Sequence, residues 1–151
     1  MLFEKKLEYQ FRIAHINEIN HIWKIIKDAI YRRKLDNSNQ WQDGYPNEEV
    51  IKNDIENGYG YVLIQNGQVA GYCALLINDE PEYLKIIGNW LTNNDFIVFH
   101  RLAIGNNFLN KGLAKKMVNF IEEYALSKKI FSVKADTNHD NIPMLKLFKS
   151  L

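Results

Sequence analysis

The shortages in this sequence say as much as its contents. A single cysteine, Cys73, excludes an intrachain disulfide and any zinc site built on cysteine pairs. It lies inside the apolar run AGYCALLI, where a thiol is expected to be buried and structural rather than nucleophilic. No sign of charge dominates. The formal net charge of +1 is too small a basic excess for a general nucleic-acid or membrane binder. No apolar run approaches the ~18 residues that span a bilayer. The start, MLFEKKLEYQFRIAH, carries charges through the stretch where a signal peptide needs an unbroken apolar core, so a cytoplasmic location is expected. With three prolines, eight glycines and no linker, low-complexity tract or repeat, a single domain over residues 1–151 is expected.

What is present suits an ordinary globular protein: 46% hydrophobic and 25% charged residues, in a chain long enough to bury about 68–70% of its unfolded surface. Glu8 to Ile13 reads as a first strand. Asn17 reads as the N-cap of a helix to about Arg33, with Ile19, Ile22, Trp23, Ile26, Ala29 and Ile30 on one face. Leu35 to Asn47 is dense in turn formers and reads as a loop. Asn47, followed by Glu48 and Glu49, opens a second helix that Asn57 and Gly58 close. The β-rich runs Tyr59 to Gln65 and Gln68 to Ile77 flank Asn66-Gly67, a strong hairpin signal. Asn78 to Asp95 is a polar excursion containing Pro81, with room for a short helix. Phe96 to Ile104 is apolar on both faces, as a central strand is. Gly112 to Lys128 is an amphipathic helix, Ile130 to Ala135 a strand, and Asp140 to Ser150 begins a last helix. This order predicts a mixed α+β sheet, largely antiparallel, flanked by helices and holding one parallel strand–helix–strand unit.

The stretch FIVFHRLAIGNNFLNKGLAKKMVNFIEE, Phe96 to Glu123, carries the clearest chemical signal. It reads as a buried strand, a polar loop, then a helix whose first turn holds Lys111, Lys115 and Lys116. Capping rules place acids there, because helix N-termini carry unpaired N–H groups and the positive end of the dipole. Either an anion such as a phosphate or pyrophosphate sits at that helix start, or the lysines simply cover a solvated surface.

Two motifs narrow the choice. Leu109-Asn110-Lys111-Gly112-Leu113-Ala114 matches the pattern Gln/Arg-x-x-Gly-x-Gly/Ala except at Leu109. Asp136-Thr137-Asn138-His139-Asp140, leading into Asn141-Ile142-Pro143-Met144-Leu145-Lys146-Leu147-Phe148, resembles the pattern of a strand ending in Asp or Asn and then Asn-x-x-Ala-x-x-Leu-Tyr, with Met144 and Phe148 in place of Ala and Tyr. On both motifs and their separation, the sequence resembles the GNAT superfamily of N-acetyltransferases. The resemblance implies acetyl-CoA as co-substrate and no metal. The amides of Asn110 to Ala114 would then cradle the pyrophosphate, with Gly112 allowing close approach and Lys111 and Lys115 adding charge. Leu109 would weaken one flank. The main chain at Leu102, Ala103 and Ile104 would pair with the pantetheine arm where two parallel strands splay apart. Asn141 would hydrogen-bond that arm, and Asn138, Met144 and Phe148 would complete the cofactor contacts.

The resemblance further implies transfer of an acetyl group to an amine by direct attack. Family members that carry a glutamate base have it where this chain has Val98, which cannot serve. His100, two residues on and so on the same strand face, has an unperturbed pKa suited to proton transfer near neutrality; it is either the base or a hydrogen-bonded core histidine. Glu82, through water, is the alternative base. The family's usual tyrosine acid is replaced by Phe148, leaving Tyr83 or Tyr72 as candidate acids, or water to protonate the thiolate. The acceptor, a small-molecule or peptide amine, is expected between the first two helices and the excursion. Trp41, Asp43, Tyr45 and Trp90 lie there, an aromatic and acidic mixture that suits a cation, although tryptophans also anchor long loops. Family members continue past the last helix into Gly-Phe and two more strands, whereas this chain stops at Leu151. The sheet is therefore expected to lack its final hairpin, with either reduced stability or completion by a second subunit in a homodimer. A catalytically silent CoA-binding module is the rival reading. A dinucleotide fold ranks low, since residues 105–114 supply only Gly105 and Gly112.

Overall fold

A computed structural model describes residues 6–79 and 94–151. Glu82, Tyr83, Trp90 and the short helix expected near Pro81 lie outside the described residues. The elements run β1 (Tyr9–Ile13), α1 (Ile19–Leu35), α2 (Glu48–Glu56), β2 (Gly60–Gln65), β3 (Gln68–Ile77), β4 (Ile97–Ile104), α3 (Leu113–Ser127), β5 (Val133–Lys134) and α4 (Ile142–Ser150). The five strands lie side by side in chain order. The pairs from β1 to β4 are antiparallel, and β4–β5 is parallel across α3. This is the mixed sheet with helical flanks and one parallel unit that the sequence predicts.

The local causes are visible at each join. Asn66 and Gly67 take φ of 47° and 81°, the conformation a two-residue type I′ turn requires, and so set Gln65 opposite Gln68. Asn47 caps α2 by accepting the Val50 amide at 3.0 Å. The start of α1 departs from expectation. Glu18, not Asn17, organises it: the Glu18 carboxylate accepts the His15 amide at 2.8 Å and both Arg12 Nη atoms at 2.9 Å. A 3₁₀ turn, Ile16–Glu18, therefore precedes the helix, which continues to Leu35 rather than Arg33. The last helix starts at Ile142, not Asp140, because the Asp140 carboxylate is taken by the Ser38 hydroxyl at 2.7 Å and the Asn39 amide at 2.9 Å. The final strand is two residues long instead of six.

Each face of the sheet has its own core. Met117, Val118, Ile121 and Ala125 of α3 pack on Leu63, Ile97, Phe99, Leu102 and Ile104. On the other face, Ile22, Ile25, Ile26 and Ala29 of α1 join Ile51 and Ile55 of α2 against Val62, Ile64, Tyr72 and Ala103. Each fully buried Ile or Met contributes roughly 1.5–3 kcal/mol. Cys73 is fully buried, as its apolar run predicts, and burial pushes its thiol pKa up.

β4 breaks the simple alternation. Tyr72 pairs with Ala103 and Ala74 with His100, so Arg101 and Leu102 together face Cys73 alone. Arg101 is the bulged residue, with φ of 54°. The bulge shifts the phase, so that Leu102 and Ile104 share the face of Ile97 and Phe99 while Ala103 turns to the α1 side. Beyond Val98, β4 and β5 no longer pair.

Candidate active site

The parting of β4 and β5 opens a cavity of about 460 Å³. Its floor is Phe99 to Ile104. Its walls come from the last turns of α1, the loop at Gln40, Trp41 and Tyr45, and the α4 segment with Asp136, Thr137, Asn141, Pro143, Met144 and Leu147. Leu109 and Ala114 close the far end. Hydrogen bonds hold the walls together. Gln40 Oε1 accepts the Asn138 amide at 2.7 Å and the Thr137 hydroxyl at 3.1 Å. Asn141 is buried, donating to Thr137 Oγ1 at 3.0 Å and accepting from Arg33 Nη1 at 3.3 Å.

At the far end, Gly112 takes φ of 73° as the N-cap of α3, with no side-chain cap. A Cβ built there would meet nothing within 4 Å. The first backbone bond of the turn runs from the Lys116 amide to the Gly112 carbonyl at 3.1 Å. An uncapped helix start facing open space is a fitting cradle for phosphate oxygens. The residues present therefore fit an elongated ligand that carries phosphate at one end.

Of the site residues expected from sequence, His100, Leu102, Ala103, Ile104, Leu109, Ala114, Asn141, Met144, Trp41 and Tyr45 line this one cavity. Others stand apart. Asn110 and Lys111 are exposed on the approach to α3 outside the cavity lining, and the Leu113 side chain is in the core, leaving only its amide for a ligand. Lys115 reaches the Ser150 carbonyl at 2.9 Å, and Lys116 stacks over the Tyr9 ring, 4.5 Å from its centroid. Asn138 faces Gln40. Phe148 packs half-buried against the α3 core. The Asp43 carboxylate accepts the Tyr45 amide at 3.3 Å and lies off the cavity wall.

Tyr72 is excluded as an acid for the cavity. It is fully buried and donates to Asp54 Oδ2 at 2.8 Å; burial, then the Asp54 charge, raises its pKa. That contact belongs to a cluster that sequence reasoning missed. Arg101 clamps Asp54 through Nε at 2.8 Å and Nη2 at 2.7 Å, while Nη1 donates to the Tyr45 hydroxyl at 2.5 Å. Burial opposes the Arg101 charge, but the Asp54 and Tyr45 contacts outweigh it and raise its pKa. The available signal was Asp54 itself, on the same α2 face as Ile51 and Ile55, since a carboxylate on an apolar stripe needs a partner. Arg32, Arg33, Gln40 and Thr137 also line the cavity. Among the described residues, no group of three or more His, Cys, Asp or Glu is placed to hold a metal ion.

Comparison with known proteins agrees with this geometry. A GNAT-family acetyltransferase from Streptococcus agalactiae has 34% sequence identity and a TM-score of 0.84, over 95% of this chain and 83% of that one. One from Listeria monocytogenes has 19% identity and a TM-score of 0.76, over 94% and 84%. An aminoglycoside N-acetyltransferase in complex with CoA shares the fold at 14% identity and a TM-score of 0.68, over 99% and 90%. No curated protein matches the sequence. The model of the acetyltransferase (GNAT) family matches residues 20–151, which takes in α1, the splayed strands and the Gly112 cradle alike, and the chain belongs to that family.

Proposed function

We propose that this protein transfers an acetyl group from acetyl-CoA to the primary amine of a small molecule or peptide. The observation that carries the reading is the splay of β4 from β5 after Val98, which opens a cavity from His100 to Leu109 and Ala114, the residues on either side of the uncapped helix start at Gly112. The freed main chain of Leu102 to Ile104 suits an amide-bearing arm, much as it would suit another strand. Asn141 lies opposite. Acetyl-CoA supplies the thioester acyl group.

The chemical demand on the protein is modest. An alkyl amine with pKa near 10.4 costs about 4.6 kcal/mol to deprotonate at pH 7, from about 1.36 kcal/mol per unit. Well-aligned reactants recover roughly 7–11 kcal/mol. A thiolate with pKa near 8.5 leaves with little help. His100 lines the cavity and takes the amine proton as base. Trp41 and Tyr45 form the acceptor end. Acceptors differ widely among proteins of this fold: one relative from a soil metagenomic sample is an aminoglycoside acetyltransferase in complex with sisomicin, and one from Brucella melitensis is a ribosomal-protein-alanine N-acetyltransferase.

A silent CoA-binding module is the second reading, favoured by Phe148 and Val98, neither of which can move a proton. The two separate in one experiment. Coenzyme A is titrated into the wild type and Gly112→Ala, then thiol release from acetyl-CoA is followed across polyamines, aminoglycosides, amino acids and peptides. Acetyl transfer requires wild-type binding, loss of binding in Gly112→Ala with the fold intact, and release with at least one amine. An unchanged pH–rate profile in His100→Ala removes that residue as base. Binding without release across the panel favours the silent module, and no binding at all defeats both readings.

A further inference from the structure

Among the described residues, Arg32, in the last turn of α1, forms no ion pair with a carboxylate. Its two nearest acids are committed elsewhere, Asp28 to Lys24 at 2.7 Å and Asp36 to Arg33 at 3.0 Å. Arg32 Nη2 donates to the Ile104 carbonyl at 3.0 Å, and Nη1 donates to Asn106 Oδ1. Both partners are neutral. Partial burial and the neighbouring Arg33 depress its pKa by more than the more distant charges of Asp28 and Asp36 raise it. The C-terminal end of a helix favours a cation, but that partial charge is a weak substitute for an anion. Arg32 lines the cavity where β4 ends, at the start of the 105–112 segment that leads to the Gly112 cradle. Leu109, on that segment, offers no polar side chain.

We propose that Arg32 is a cofactor-recognition residue, holding the diphosphate of the acyl-CoA from the α1 side while the α3 amides hold it from the other. This rests on the acyl-CoA reading above. Its guanidinium rests on the Ile104 carbonyl and Asn106. With ligand bound it gains an anion, which among the described residues no side chain supplies within ion-pair distance. Arg32 thereby takes over, from a different element, the flank that Leu109 leaves without charge.

The test is titration of coenzyme A and of dephospho-coenzyme A into wild type, Arg32→Gln and Arg32→Lys at low and high ionic strength. Gln keeps a donor for Ile104 and removes the charge; Lys keeps the charge. Losing a charged hydrogen bond predicts roughly 10–100-fold weaker binding for Gln at low salt, a gap that narrows as salt rises and is largely restored in Lys. The same gap should appear with both ligands. A gap seen only with coenzyme A assigns Arg32 to the 3′-phosphate and overturns the proposal. So does binding by Arg32→Gln within threefold of wild type, or a loss that neither salt nor Lys relieves, which marks a structural role. Normal coenzyme A binding with a raised acceptor KM makes the anion an acceptor carboxylate and overturns it equally. If wild type binds no coenzyme A, the acyl-CoA reading itself fails and takes this proposal with it.

Discussion

Arg101 holds φ of 54° on a central strand, where a residue with a Cβ pays roughly 1–2 kcal/mol. The bidentate clamp from Asp54 keeps it there, and the resulting bulge turns Ala103 and Leu102 to their working faces. Breaking a buried pair costs more than the pair is worth, because the survivor is left charged and unpartnered. Asp54→Ala should therefore lose roughly 3–5 kcal/mol in urea unfolding. Arg101→Met should lose a similar amount, and the double variant much less than their sum. Simple additivity would show that the two side chains do not act as a unit. Only half of this was legible in the sequence. An acid among Ile51 and Ile55 announces a buried partner, but period-2 reasoning through FHRLAI has no way to register an extra residue, so Arg101 passed as an ordinary strand position.

Among elements, interiors were read better than ends. The apolar stripe of α1 and the Asn-Gly hairpin follow from side-chain spacing and turn sterics, which act locally. Starts and stops depended on distant chain: Glu18 answers to Arg12, and Asp140 to Ser38 and Asn39. Asp140 joins the α1–α2 loop to the segment before α4, closing one side of the cavity. Its hydrogen bonds from the Asn39 amide and the Ser38 hydroxyl lower its pKa below the ordinary 3.8. The unfolded chain thus binds the proton more tightly. This stabilisation is fully present above the ordinary Asp range and disappears as pH falls through the lowered folded value. Hydrogen exchange at the Asn39 amide should show protection in the wild type that persists below about pH 4 and is lost only as the lowered folded value is crossed, with little protection at any pH in Asp140→Ala. Equal protection in the two proteins would mean that the loop is held by something else.

Across the whole molecule, the two sides of the cavity are held very differently. The sheet from β1 to β4 is paired along its length apart from two bulges and has a core on each face, whereas β5 pairs through only Val133 and Lys134. No side chain of α4 is fully buried. The α4 side is joined by hydrogen bonds instead: Asp140 to Ser38, Gln40 to Thr137 and Asn138, Arg33 to Asn141, and Lys115 to Ser150. Sequence showed the parallel unit but not this imbalance, because the apolar run from Ile130 to Ala135 looks like a full strand until its partner curves away. Elements held by few apolar contacts open first, so α4 amides should exchange faster than those of α3 in the free protein. A ligand lying between β4 and α4 bridges the weak side to the strong one. At a hundredfold excess over Kd, coenzyme A should stabilise by about 2.7 kcal/mol. For a domain of this size that raises Tm by about 5–10 °C. The added exchange protection should concentrate in α4 and in residues 109–115, with little change in β1 to β3. A Tm increase with protection spread evenly over the sheet would place the ligand elsewhere, and the cavity between β4 and α4 would lose its standing as the acyl-CoA site.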